Sequence, residues 1–104
     1  MTADQFRKLA LKIPGAVEAS HMNHPDFRLD GKIFATLGYP DEEHAMVKLT
    51  PTEQQQLISE APEMFRPCSG KWGADGATNI ILRTARVGLV REALLHARDY
   101  VRDE

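Results

Sequence analysis

Residues 26–37 read DFRLDGKIFATL, and this stretch decides the fold class. The Asp30-Gly31 pair accepts the positive φ angles of a tight type I′ turn, and strand-forming residues flank it on both sides. A two-residue turn predicts the cross-strand pairs Phe27–Phe34 and Leu29–Lys32. The other apolar residues of the second strand then point to the opposite face, namely Ile33, Ala35 and Leu37. Both faces of the hairpin are therefore apolar, so one should pack on helices and the other should meet a partner, a ligand or a second subunit.

Three helices are predicted around this hairpin, over residues 3–13, 51–61 and 86–102. The first two begin with capping boxes, formed by Thr2 with Gln5 and by Thr50 with Glu53. The last carries apolar residues at alternating spacings of three and four, namely Val87, Val90, Leu94, Ala97 and Val101. Each helix therefore offers one face to a core.

Further strands are predicted over residues 18–22, 44–49 and 77–83, while residues 64–76 are predicted to form a loop rich in Gly, Pro, Cys and Ser. The approximate order is α-β-β-β-α-β-β-α. Short connections between strands favour an antiparallel sheet, so the expected fold is a two-layer α+β structure with helices on one face.

The composition narrows the class of protein. A chain of 104 residues has the length of one domain, here taken as residues 1–104, and 42% hydrophobic with 27% charged residues is typical of a globular protein. The net charge of −2 argues against a dedicated non-specific DNA binder. The one cysteine, Cys68, excludes an internal disulfide and favours a reducing compartment. With no apolar run of signal-peptide or membrane-spanning length, we expect a cytoplasmic protein without a membrane partner.

Two segments resemble the MmcQ/YjbR-like family of small bacterial proteins. One is His24-Pro25-Asp26-Phe27-Arg28 leading into residues 32–37, and the other is FRPCSGKWG at residues 65–73, followed by residues 76–79 and their strand. With the three helices, the resemblance covers nearly the whole chain. It implies a two-layer α/β fold with an antiparallel sheet. Members are commonly described as candidate DNA-binding proteins, and the fold is also similar to small chaperone-like domains that bind protein segments.

The loop from Arg66 to Gly73 combines positive charge with an aromatic ring. Arg66 and Lys71 supply the charge, Trp72 supplies a flat stacking surface, and Gly70 and Gly73 allow close approach of the backbone. Such a loop could hold a phosphate or carboxylate beside a ring, or stack a base. The alternative is that Trp72 fills the core while the glycines shape a tight connection.

His21, His24 and Asp26 cluster in the sequence, with Glu18 nearby. Two histidines three residues apart in a continuous strand would point to different faces, and no third convergent ligand is evident, so we predict no metal site. Phosphate-loop, dinucleotide and paired-cysteine motifs are absent from the sequence, so we expect no cofactor. Cys68 is expected to be a small buried side chain rather than a nucleophile.

The leading hypothesis is a non-enzymatic binding domain that binds DNA. Arg66, Lys71 and Arg83 would contact phosphates and Trp72 would stack on or wedge between bases, with His24 and Arg28 completing the candidate set. The alternative is a small-molecule or protein-segment binder that uses the second sheet face, lined by Phe27 and Phe34 or by Ile33 and Leu37. A third possibility is an unrecognised enzyme built on His21, His24 and Asp26. The sequence is compatible with a monomer or a homodimer.

Overall fold

The computed structural model describes residues 1–104 and contains six strands and four α-helices. The strands are β1 (Val17–His21), β2 (His24–Leu29), β3 (Lys32–Leu37), β4 (His44–Lys48), β5 (Phe65–Pro67) and β6 (Ala77–Ile81). The helices are α1 (Ala3–Leu11), α2 (Pro51–Glu60), α3 (Gly70–Ala74) and α4 (Val87–Arg102), with one turn of 3₁₀ helix at Leu82–Thr84.

The strands form one antiparallel sheet in the order β1-β2-β3-β4-β6-β5. The predicted α+β class is confirmed. All four strands that precede α2 overlap ranges predicted as strands, although the approximate order counted only three. The segment predicted as a loop contains β5 and α3, both too short to give a periodic signal of their own.

The hairpin at Asp30-Gly31 forms as predicted, with φ angles of +50° and +79° at the two turn residues. Leu29 pairs with Lys32 and Arg28 with Ile33, but a β-bulge beyond Arg28 shifts the register, so Phe27 pairs with Ala35. The predicted pairing of Phe27 with Phe34 is wrong because the bulge adds one residue to β3.

The main core lies between the sheet and the helices α1, α2 and α4. The rings of Phe6 and Phe27 meet edge to face there, with their centroids 6.1 Å apart. Phe34, Leu37 and most of the predicted α4 stripe join this core. Val87 does not, because it is the first residue of α4 and its exposed fraction is 49%.

Both predicted capping boxes form, at Thr2 with Gln5 and at Thr50 with Glu53. In each, the threonine hydroxyl accepts from the backbone N–H three residues later, and that residue's side chain accepts from the threonine N–H. These reciprocal bonds satisfy amide groups that a helix start otherwise leaves unpaired.

The other face of the sheet carries no long helix. Partners across the strands place one row of side chains on this face, namely Asp26, Thr36, Met46, Asn79 and Arg66. We call this surface the open face. No helix of the structure is both long and apolar enough to cross a bilayer.

Candidate functional site

Two adjoining cavities lie on the open face. The first has a volume of about 320 Å³ and is lined by His21, Met22, His24, Thr36, Tyr39 and Trp72. The second has a volume of about 290 Å³ and is lined by Tyr39, Pro40, His44, Arg66, Pro67, Cys68, Ser69, Trp72 and Asn79. Tyr39 and Trp72 line both, so the two cavities adjoin, and together we call them the open-face groove.

Helix α3 fixes the position of Trp72 over the sheet. The buried amide of Gln54 donates to the carbonyl oxygens of Gly73 and Ala77, at 3.0 Å each. A side chain at Gly73 would place its Cβ 1.6 Å from the Cys68 carbonyl oxygen, so only glycine permits this packing. Trp72 itself is 43% exposed, which contradicts a role in filling the core.

Tyr39 and His24 form an aromatic corner on the other side of the groove. Their rings meet edge to face, with centroids 5.8 Å apart. Gly38 adopts a φ angle of +85°, and a Cβ there would lie 3.4 Å from His24 Nδ1. Glycine at position 38 therefore permits both the positive φ angle of the turn after β3 and the close packing of the His24 imidazole against the backbone.

Asp26 is the buried anion beneath the first cavity, with no exposed surface. Its carboxylate accepts from Arg28 Nε at 2.8 Å and from Arg28 Nη2 at 3.0 Å, and it lies 2.7 Å from His21 Nδ1. The hydrogen bond from Arg28 holds the pKa of Asp26 below its ordinary value, against the opposing effect of burial.

His21 and His24 lie on the same face, contrary to the sequence prediction. Met22 and Asn23 form a tight turn with φ angles of +50° and +66°, so the two histidines pair directly across it. Side-chain alternation applies along one strand, whereas this chain reverses direction between them. No group of three or more His, Cys, Asp or Glu side chains is arranged to hold a metal ion.

The predicted basic residues are not gathered in one patch. Arg66 lines the second cavity and forms no ion pair. Lys71 pairs with Asp75 at 3.1 Å, and Arg83 lies 3.9 Å from Glu43. Neither Lys71 nor Arg83 lines the groove, and Arg28 reaches it only through Asp26. The groove therefore unites Arg66, Trp72 and His24 from the predicted set.

The residues predicted to line an apolar groove lie elsewhere. Phe27, Phe34 and Leu37 belong to the core on the helix side of the sheet, and Ile33 lines neither cavity. The prediction is wrong for Phe27, Phe34 and Leu37, because they point to the helix side of the sheet, whereas Ile33 pairs with Arg28 and lies on the open face outside both cavities.

Tyr39, Thr36 and Asn79 are groove residues that the sequence did not identify. Thr36 and Asn79 are separated by 43 positions and share one face of the sheet because each pairs with Met46 of β4, which lies between their strands. The one local signal for Tyr39 was the glycine before it, because Gly38 marks the turn that follows β3 and adopts a positive φ angle.

Cys68 lies buried below the second cavity, and its Sγ donates to Asn79 Oδ1 at 3.3 Å. Burial raises its pKa to about 11. The thiol is therefore protonated at neutral pH, which is unfavourable for a nucleophile and agrees with the expected packing role.

Comparison with known proteins identifies the relatives of this chain. The family model described as YjbR matches residues 11–100. The crystal structure of Deinococcus radiodurans protein DR2400, with family-model domain DUF419, superimposes with a TM-score of 0.79 at 17% sequence identity. The match covers 99% of this chain and 80% of that one, and it extends to the fold alone. None of the curated proteins matches the chain.

Proposed function

The chain belongs to the YjbR family, and we propose that it is a binding protein whose open-face groove holds a small planar ligand with an anionic group. The observation that carries this proposal is the groove between Trp72 and the Tyr39–His24 corner. Its first cavity, of about 320 Å³, has the size of small-molecule sites, which begin near 300 Å³.

The side chains around the groove favour a ring. Trp72 is half exposed in a helix that buried contacts hold in place, and Tyr39 is also half exposed. Exposed aromatic rings around a concave surface gain contact area when a flat ligand inserts, and they lose little conformational freedom because they are already positioned.

The charges favour an anion at the second cavity. Arg66 is exposed there without an ion-pair partner, and no aspartate or glutamate lines that cavity. A guanidinium can bind a carboxylate, sulfonate or phosphate through two parallel hydrogen bonds.

A fluorescent aromatic sulfonate, 1-anilinonaphthalene-8-sulfonate, tests the proposal, because Trp72 is the only tryptophan. We expect saturable quenching of Trp72 emission with energy transfer to the dye, and about tenfold weaker binding in Arg66→Gln because a charge-assisted hydrogen bond is lost. Arg91→Gln, an exposed change on α4, is the matched control. Absence of quenching at millimolar dye would refute the proposal.

DNA binding remains the second candidate, supported by the proximity of exposed Trp72 to Arg66 along the second cavity. The ion pairs of Lys71 and Arg83 leave fewer cations available for phosphates. Fluorescence anisotropy of a labelled random duplex at low and moderate salt separates the cases. Salt-sensitive, saturable binding that weakens in Arg66→Ala and Lys71→Ala would favour DNA, and no binding at tens of micromolar protein would exclude it.

A cytoplasmic location, a monomeric or dimeric state and a protein-segment ligand stay predictions from the sequence. A peptide ligand would compete with the dye, so displacement of the dye by unstructured peptides checks that alternative.

A further inference from the structure

His21 presents one ring nitrogen to the protein and leaves the other for the groove. Its Nδ1 lies 2.7 Å from Asp26 Oδ2, while Nε2 has no hydrogen-bond partner within the protein. An ionised carboxylate only accepts hydrogen bonds, so Nδ1 carries a proton in this pair. In the neutral ring Nε2 is then an acceptor, and after proton uptake it becomes a donor. The His21 side chain is 44% exposed and lines the first cavity.

Arg28 keeps the carboxylate of Asp26 ionised over a wide pH range. Its two bonds to Asp26, at 2.8 Å and 3.0 Å, favour the ionised carboxylate although that side chain is completely buried. The pKa of Asp26 is lowered mainly by this hydrogen bond. Asp26 is therefore an ionised acceptor throughout the range in which an imidazole gains or loses its proton.

Four titratable or charged side chains face His21. They are Asp26 and Arg28 on β2, His24 across the β1–β2 turn, and the Tyr39 phenol after β3. Glu18 of β1 points to the opposite face and bonds Arg7. The charges of Asp26 and Arg28 cancel, so a proton on His21 gives the first cavity a net positive charge.

We propose that His21 is the specificity-determining group of the first cavity, where it takes up a proton at Nε2 and donates a hydrogen bond to the carboxylate of an aromatic acid. This inference rests on the proposed function and adds a ligand class to it, the aromatic acids, with the carboxylate at His21 in the first cavity, separate from the anion site at Arg66 in the second cavity. Asp26 and Arg28 are positioning residues, since they orient and compensate the imidazolium without touching the ligand. The proton comes from solvent, and no covalent bond is made or broken.

Isothermal titration calorimetry with 2-naphthoate and its neutral analogue 2-naphthamide tests the ligand class. Near pH 6 we expect naphthoate to bind about tenfold more tightly, the effect of one charge-assisted hydrogen bond. Naphthoate affinity should fall as the pH is raised and Nε2 of His21 no longer carries a proton to donate, while naphthamide affinity stays level. Buffers of different ionisation enthalpy should reveal proton uptake on naphthoate binding.

His21→Gln should abolish the preference and the pH dependence while leaving naphthamide binding within about twofold, because the Asp26–Arg28 pair and the aromatic walls remain. His96→Gln is the matched control, since His96 also lies beside a carboxylate, that of Glu53, but belongs to α4 outside both cavities, and it should keep the preference. Equal binding of the two compounds, or a preference that survives in His21→Gln, would overturn this inference alone. Binding of neither compound would overturn both it and the proposed function.

A second measurement needs no ligand. Nitrogen-15 spectra of the imidazoles should show His21 protonated at Nδ1 in its neutral form, and Asp26→Asn should reduce that population. A neutral His21 protonated mainly at Nε2 in the unmodified protein would contradict the orientation on which the inference depends.

Discussion

Asp26 is a fully buried carboxylate, and it accepts hydrogen bonds from His21 and Arg28. In Asp26→Asn the guanidinium keeps its charge but loses its counter-ion. We expect the free energy of unfolding to fall by about 2–3 kcal/mol. Removing one partner of a fully buried ion pair costs roughly 3–5 kcal/mol, and the loss here should be at the lower end or below it because Arg28 retains solvent contact. Urea denaturation measures this, with Asp4→Asn on the surface as control. A loss equal to that of the control would contradict the role of Asp26.

Asp26 also makes the free energy of unfolding depend on pH, in a direction that follows from its lowered pKa. Because the pKa of Asp26 is lowered in the folded protein, its stabilising contribution is complete above the unfolded pKa of about 4 and is lost as the pH falls through the folded value. The difference in unfolding free energy between the natural protein and Asp26→Asn should therefore shrink below about pH 4. The lowered pKa values of Asp41, Glu63 and Asp99 affect both proteins and cancel. A difference that stays constant down to about pH 2.5 would contradict this linkage.

Cys68 gives a prediction about reactivity. With a pKa of about 11 and a buried side chain, the thiol should react with iodoacetamide at pH 8 at least about tenfold more slowly in the folded protein than in urea. Mass spectrometry of timed samples measures both rates. Equal rates would mean that the segment over Cys68 opens readily.

Helix α3 has only five residues, and it is held by the packing of its backbone against Cys68 and by the hydrogen bond from Gln54 to Gly73. Gly73→Ala should cost about 1–3 kcal/mol, because the new Cβ would clash with the Cys68 carbonyl and displace the helix that carries Trp72. Gly88→Ala on α4 is the matched control, since no atom lies within 4 Å of its Cβ position, and it should be neutral or up to about 1 kcal/mol stabilising. Tryptophan emission should shift in Gly73→Ala alone.

The start of α2 depends on the capping box formed by Thr50 and Glu53, which can be tested independently. Thr50→Ala removes the hydroxyl that accepts from the Glu53 N–H and should cost about 1 kcal/mol. Thr52→Ala, two residues along the same chain, removes a threonine with no such bond and should change stability by less than about half as much. Chemical denaturation of both variants measures the difference, and similar losses would contradict the capping assignment.

Elements were predictable from the sequence where their signals are local. The capping boxes and the Asp30-Gly31 turn depend on residues within three positions of one another, so they were identified correctly. Helix α3 depends on Gln54, which lies 19 residues before Gly73, and no local pattern records that contact. The tight turn at Met22-Asn23 uses residues without the usual glycine, which explains why His21 and His24 were assigned to different faces.

At the level of the whole molecule, the sheet separates two environments. Helices bury one face in a continuous apolar core, and the other face gathers polar and aromatic groups from four separate stretches of the chain. The sequence indicated Arg66, Trp72 and His24 as candidates, but it could not show that Thr36 and Asn79 join them, because that depends on strand order. The ion pairs differ in the same way, since Lys71 pairs with Asp75 only four residues along the chain, whereas Arg83 lies beside Glu43, which only the fold brings near.

Titration of the nitrogen-15 labelled protein with 2-naphthoate, followed by amide chemical shifts, tests most directly whether the open-face groove is the binding site. We predict saturable shifts confined to residues 21–24, 36–44 and 66–79, which surround the two cavities. Shifts centred on α1 and α4, or no saturable shifts at millimolar ligand, would contradict the account.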